Sequence, residues 1–138
     1  MRNRTILIAT ALMALVAGPT AEARSDACVE AQRGLTIVHY EIGSVATTAA
    51  DQERLRDFAD VARYKRDICV VGQADAQGDD ASNRQLAQAR ADSVAGLLVL
   101  YGVPREKISV EVQERAVTLW GALSNDQPND RRVLVTHN

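Results

Sequence analysis

The sequence predicts a two-layer α/β domain in the order β-α-β-α-β with one further strand. Three observations carry this expectation. Short apolar runs rich in β-branched residues alternate with two helical patterns, the arrangement that builds strands and crossover helices into one layered unit. The helical patterns begin and end on capping and stop signals. The chain has 138 residues, enough for one modest core.

Residues 35–42 (LTIVHYEI) are β-branched and aromatic enough for a first strand, which Gly43-Ser44 ends. Thr48, three residues before Asp51, opens a helix as a capping pair. Leu55, Phe58, Ala59 and Ala62 follow at i, i+3, i+4 and i+7 and define its core face, while Glu53, Arg54, Arg56 and Asp57 lie mostly elsewhere. Residues 68–72 (ICVVG) are continuously apolar between polar segments, as in a buried strand. A polar loop, 73–80, leads into a second helix that starts near Asp79 to Ser82 and reaches about Tyr101. Gly102 stops it, and Pro104 disfavours helix at Val103. Ile108, Val110 and Val112 alternate with polar residues, the period of a strand with one wet face. Residues 114–123 fit a short helix or a strand edge equally, 125–130 read as a turn, and 133–135 form a last strand.

The chain start has its own logic. Arg2 and Arg4, an apolar run from Ile6 to Ala17, Gly18-Pro19 and the pattern Ala21-Glu22-Ala23 read as a secretory signal peptide cleaved after Ala23. The run is too short to span a bilayer, for which roughly 20 residues are needed. Cys28 lies too far downstream, after Ser25-Asp26-Ala27, to serve as a lipidation site. The expected organisation is therefore signal peptide 1–23, a short tether 24–34 and one domain 35–138, with no membrane span in the mature form. The expected location is the periplasm, at the outer membrane or the wall.

The intact chain carries 16 basic and 18 acidic residues. Removing Arg2, Arg4 and Glu22 leaves a net charge of −3 with interspersed signs, which is no footprint for nucleic acid or an anionic membrane. Cys28 and Cys69 enter an oxidising compartment after export, so a disulfide is one reading. A small core residue at Cys69, within Ile68-Cys69-Val70-Val71, is the other.

One residue breaks the second helix's pattern. Leu86, Val94, Leu97, Leu98 and Tyr101 mark an apolar stripe, and Arg90 falls on it. An arginine there must snorkel to solvent along the helix edge or meet an anion. Asp75, directly after a buried strand and between Gly72 and Gly78, supplies the opposite charge in a turn whose glycines let backbone amides face a ligand.

These residues carry a resemblance. Gly72-Gln73-Ala74-Asp75-Ala76-Gln77-Gly78, then Asn83, Leu86, Arg90-Ala91 and Val94, is similar to the signature of OmpA-like peptidoglycan-binding domains, approximately G-H-T-D-x-x-G, four residues, N-x-x-L-S-x-x-R-A-x-x-V. Residues 40–44 (YEIGS) resemble that family's F-D-F-D-S, Gly102-Val103 its glycine before the third strand, and Arg131-Arg132-Val133 its closing N-R-R-V. The resemblance covers about residues 35–136. It implies helices packed on a small mixed sheet and a non-catalytic binding module. It further implies that Asp75 and Arg90 hold the diaminopimelate residue of the peptidoglycan stem peptide, with Asn83 and Gly78 beside them. Such a ligand ends in an ammonium and a carboxylate, which a carboxylate and a guanidinium fork complement. Asn83 reads equally well as a capping or turn residue.

The chain departs from the pattern at Ala74 for threonine, Ala87 for serine and Asp130 for asparagine. It also lacks the G-x-G-E turn, where 112–115 read VQER. A fold of this type used for contacts with other envelope proteins is therefore the alternative. Hydrolysis has only Asp79-Asp80 as a hint, and adjacent acids at a helix start are ordinary capping. His39 and His137 stand apart without a zinc pattern, so neither a metal nor another cofactor is expected. No G-x-S-x-G elbow surrounds Ser44. Trp120 is the single tryptophan, suited to core or partner.

Overall fold

The computed structural model describes residues 28, 31–74, 79–113 and 131–138. The expected signal peptide, residues 75–78 and 114–130, with Trp120 among them, lie outside these. The elements are β1 (Arg33–His39), α1 (Ala49–Ala62), β2 (Ile68–Gln73), α2 (Asp80–Leu100), a 3-10 turn (Arg105–Lys107), β3 (Ile108–Gln113) and β4 (Arg132–His137). The sheet order is β1-β4-β2-β3. β2 and β3 run parallel through the α2 crossover, whereas β4 is antiparallel to β1 and to β2. The sheet is thus small and mixed, with both helices on one face.

Local chemistry sets the helix ends. The Thr48 hydroxyl accepts from Asp51 N at 3.1 Å and donates to its carboxylate at 2.9 Å, satisfying one of the orphan amides of the first turn. Leu55, Phe58, Ala59 and Ala62 are all buried, as their spacing requires. At the end of α2, Gly102 adopts φ +97°. Val103 N then donates back to Leu98 O at 3.0 Å, so glycine relieves the strain of a left-handed stop.

The buried face of α2 differs from the expected stripe. Ala87, Arg90, Ala91, Val94, Ala95 and Leu98 are buried, whereas Leu86, Leu97 and Tyr101 are half-buried. The reason is close approach. A Cβ on Gly72 would lie 2.3 Å from the Ala87 carbonyl oxygen, so α2 rests on β2 through small residues and the larger ones flank the seam. Gly72 therefore does not open the loop toward a ligand, as expected above. It sits inside β2 and admits the helix.

The first strand ends earlier than its apolar character suggests. Tyr40 N still donates to Arg131 O at 2.9 Å, but Glu41–Ser44 close a turn with Gly43 at φ +68°, and Ile42 is 81% exposed. The strand also starts earlier. β1 begins at Arg33, Ala31 is buried, and Cys28 is bonded to Cys69 with 5.0 Å between their Cα atoms. The later part of the expected tether is thus fastened to the sheet, because the disulfide draws it onto the face opposite the helices.

Candidate functional site

The carboxyl ends of β1 and β2 and the amino ends of both helices meet at one end of the sheet. Arg90 is the centre of this region. Its side chain is among the largest fully buried ones, at 2% exposure for the residue. It neither snorkels nor rests on an anion alone. Nε donates to the Ser44 carbonyl at 2.8 Å and one Nη to the Glu41 carbonyl at 3.0 Å. Its guanidinium lies 5.0 Å from the Tyr40 ring centroid, within cation–π range.

These contacts explain the turn. Ser44 N donates to Glu41 O at 3.1 Å, and Ala46 N to the Ser44 hydroxyl at 3.0 Å. The two carbonyls that accept from Arg90 are therefore locked relative to each other, and the arginine is locked by them. Hydrogen bonds to a charged donor are worth about 1.5 to 3 kcal/mol each. The guanidinium is thereby held in one orientation.

The surroundings are buried and polar. Burial pushes the Tyr40 phenol up, while the neighbouring Thr47 hydroxyl and the Arg90 charge pull it back and Asp51 adds to the rise. Among the described residues, neither Tyr40 Oη nor Thr47 Oγ1 has a partner with hydrogen-bond geometry. Asp51 is itself buried and pairs with Arg54.

Asp75 and Gly78 lie outside the described residues. Asn83 is half-buried in the first turn of α2, where its backbone donates to Asp79 O at 3.0 Å. The cap of α2 is Asp79, whose carboxylate accepts from Ser82 N at 2.9 Å and from the Ser82 hydroxyl at 2.7 Å. Those bonds hold its pKa below the usual carboxylate value. The acid pair considered as a hydrolytic hint thus includes a capping residue.

His39, the last residue of β1, is exposed, whereas His137 is buried against Phe58 with 5.6 Å between ring centroids. Among the described residues, the Cys28 and Cys69 sulfurs and a Glu111 carboxylate oxygen lie within 4.8 Å of one another. The sulfurs are bonded to each other, so they are not thiolate ligands.

A family model described as the OmpA family matches residues 39–131, about two thirds of the chain. The chain belongs to the OmpA family. Outer membrane protein P5 of Haemophilus influenzae is 40% identical over 68 residues, which are 49% of this chain and 19% of that protein. The sodium-type flagellar protein MotY of Vibrio parahaemolyticus is 32% identical over 79 residues, 55% of this chain and 27% of that protein. The chain thus matches only a fifth to about a quarter of these relatives. Among solved structures, the peptidoglycan-associated lipoprotein of Burkholderia pseudomallei aligns with TM-score 0.63 and 24% identity over 74% of this chain and 89% of that one. The C-terminal domain of Helicobacter pylori MotB aligns with TM-score 0.61 and 22% identity over 76% and 85%. Both share the OmpA-like fold. Among the described residues no helix is long and apolar enough to cross a membrane.

Sequence reasoning singled out Arg90 but missed its partners, because backbone carbonyls leave no trace in residue identity. Tyr40 could have been found: in a strand, the residue two after Val38 shares its face.

Proposed function

We propose that this OmpA-family domain is a non-catalytic module of the cell envelope that binds peptidoglycan. It holds the diaminopimelate-type residue of the stem peptide between Asp75 and Arg90, with Asn83 and Gly78 at the rim. The observation that carries this reading is Arg90, a buried cation fixed by two carbonyls at the end of the domain where the Asp75 segment joins β2 to α2. In support, one fold relative is named a peptidoglycan-associated lipoprotein, and the Asp75-to-Arg90 spacing is that of the family signature. Asp75 meets the ligand ammonium and Arg90 its carboxylate.

The alternative, a fold kept for contacts with envelope proteins, draws on the same arginine. Its bonds to Glu41 and Ser44 suit a purely architectural strut. Cosedimentation of the purified protein with isolated sacculi separates the two. Wild-type protein should pellet with sacculi, and Asp75→Asn should bind about ten- to a hundredfold more weakly, the loss of one charge-assisted contact of roughly 1.5 to 3 kcal/mol. Arg90→Lys should also weaken binding, because an ammonium lacks the planar fork. Asp75→Asn is the cleaner test, since replacing a buried arginine disturbs the turn as well. Wild-type binding retained in both variants would remove this pocket from the account, no binding by wild type would favour the protein-contact reading, and soluble fragments would indicate hydrolysis.

A further inference from the structure

A second arginine faces the same end of the sheet. Tyr40 N donates to Arg131 O at 2.9 Å, which extends the β1–β4 ladder one step beyond the pairs Val38 with Val133 and His39 with Arg132. Strand alternation then places Arg131 on the face of Val133, the face covered by the helices. Directly opposite residues have Cβ atoms about 5 Å apart, so Arg131 stands beside Tyr40, whose ring carries Arg90. On its other side the β2–β4 register, Gly72 with Val133, brings Ala74 opposite Arg131. Ala74 is the residue before Asp75.

The electrostatics of this position are unusual. Arg131 Nε is buried and has no hydrogen-bond partner among the described residues, although buried polar atoms are nearly always satisfied. Arg132, by contrast, points to the other face and donates to Gln73. Arg90 thus lies over the Tyr40 ring, Arg131 follows on the same face of the sheet one cross-strand position away, and its buried Nε has no acceptor among the described residues. An anion supplied from outside would complete it.

We infer that Arg131 is a specificity residue that recognises a second carboxylate of the ligand. This rests on the stem-peptide reading of the Arg90 site. A stem peptide carries, besides the free end of its diaminopimelate, the α-carboxylate of the D-glutamate that is linked through its side chain. Arg90 takes the first and Arg131 the second. The inference makes the domain a reader of D-glutamate amidation, because a carboxamide loses the charge that a guanidinium complements.

Calorimetric titration of the purified protein with two L-Ala-γ-D-Glu-diaminopimelate tripeptides tests it, one with the free α-carboxylate and one with the α-carboxamide. Wild type should prefer the free acid by about tenfold, one charge-assisted contact. Arg131→Gln should bind both equally, and Arg131→Lys should keep part of the preference. Equal binding of both peptides by wild type overturns the role of Arg131 while leaving the stem-peptide reading intact, and needs no variant to fold. If wild type binds neither peptide, that reading falls and this inference with it.

Discussion

The two faces of the sheet are built in different ways. On the helix side, Val38, Leu55, Val70, Val94, Leu98, Val133 and Val135 lie in one buried cluster with the aromatic rings of Tyr40 and Phe58. On the opposite side, among the described residues, the buried cluster is Ala31, Cys69 and Val71, edged by Cys28 and Leu134. The first face has enough apolar area to drive association of its layers. The second does not, and a covalent bond takes the place of area. A sheet with one well-covered face can thus hold a segment on the other face by restricting the unfolded chain rather than by burying surface.

Truncation on the helix side should give the largest effect. Leu55→Ala and Leu98→Ala remove fully buried side chains, and each should cost about 2 to 5 kcal/mol in urea unfolding. Loss of less than about 1 kcal/mol at both positions would mean that this face does not carry the stability assigned to it.

The covalent face comes next. Replacing Cys28 and Cys69 together by alanine should lower stability by about 2 to 4 kcal/mol, with the change seen in the midpoint of thermal unfolding. Reduction of the wild-type protein should reproduce it. If both leave the midpoint unchanged, the N-terminal segment is held by other contacts.

The smallest effect sharpens the contrast. Glu111 lies beside the disulfide, and burial raises its pKa above the usual value. A carboxyl raised in the folded state favours folding below its unfolded pKa and loses that contribution as pH rises through the folded value. Glu111→Gln should therefore raise the melting temperature slightly at neutral pH and leave it unchanged at acidic pH. The reverse order would show that the charge, rather than its burial, matters on this face.

What the sequence made legible follows from how local each cause is. The Thr48 cap, the spacing of Leu55, Phe58, Ala59 and Ala62, and the stop at Gly102 depend on neighbours within one or two turns, so residue types announced them. The end of β1 did not announce itself, because the Glu41–Ser44 turn is fixed by Arg90, more than forty residues away. The pairing of Cys28 with Cys69 and the order β1-β4-β2-β3 are likewise non-local. Gly72 was misread because a glycine that admits a helix and one that bends a loop look the same in sequence. Arg90 stood out as a charge on an apolar stripe, but its acceptors are carbonyls that any residue could supply. Arg131 carried a usable signal, its period-2 relation to Val133 and Val135.

The disulfide also decides how the domain carries load. Tension entering the chain upstream of residue 28 would, without the bond, reach the edge strand β1 and peel it from β4 one hydrogen-bonded pair at a time. With the bond, force passes from Cys28 into β2, an interior strand held by β4 on one side and β3 on the other. Peeling is then replaced by loading of two ladders together, and β1 lies outside the path of the pull.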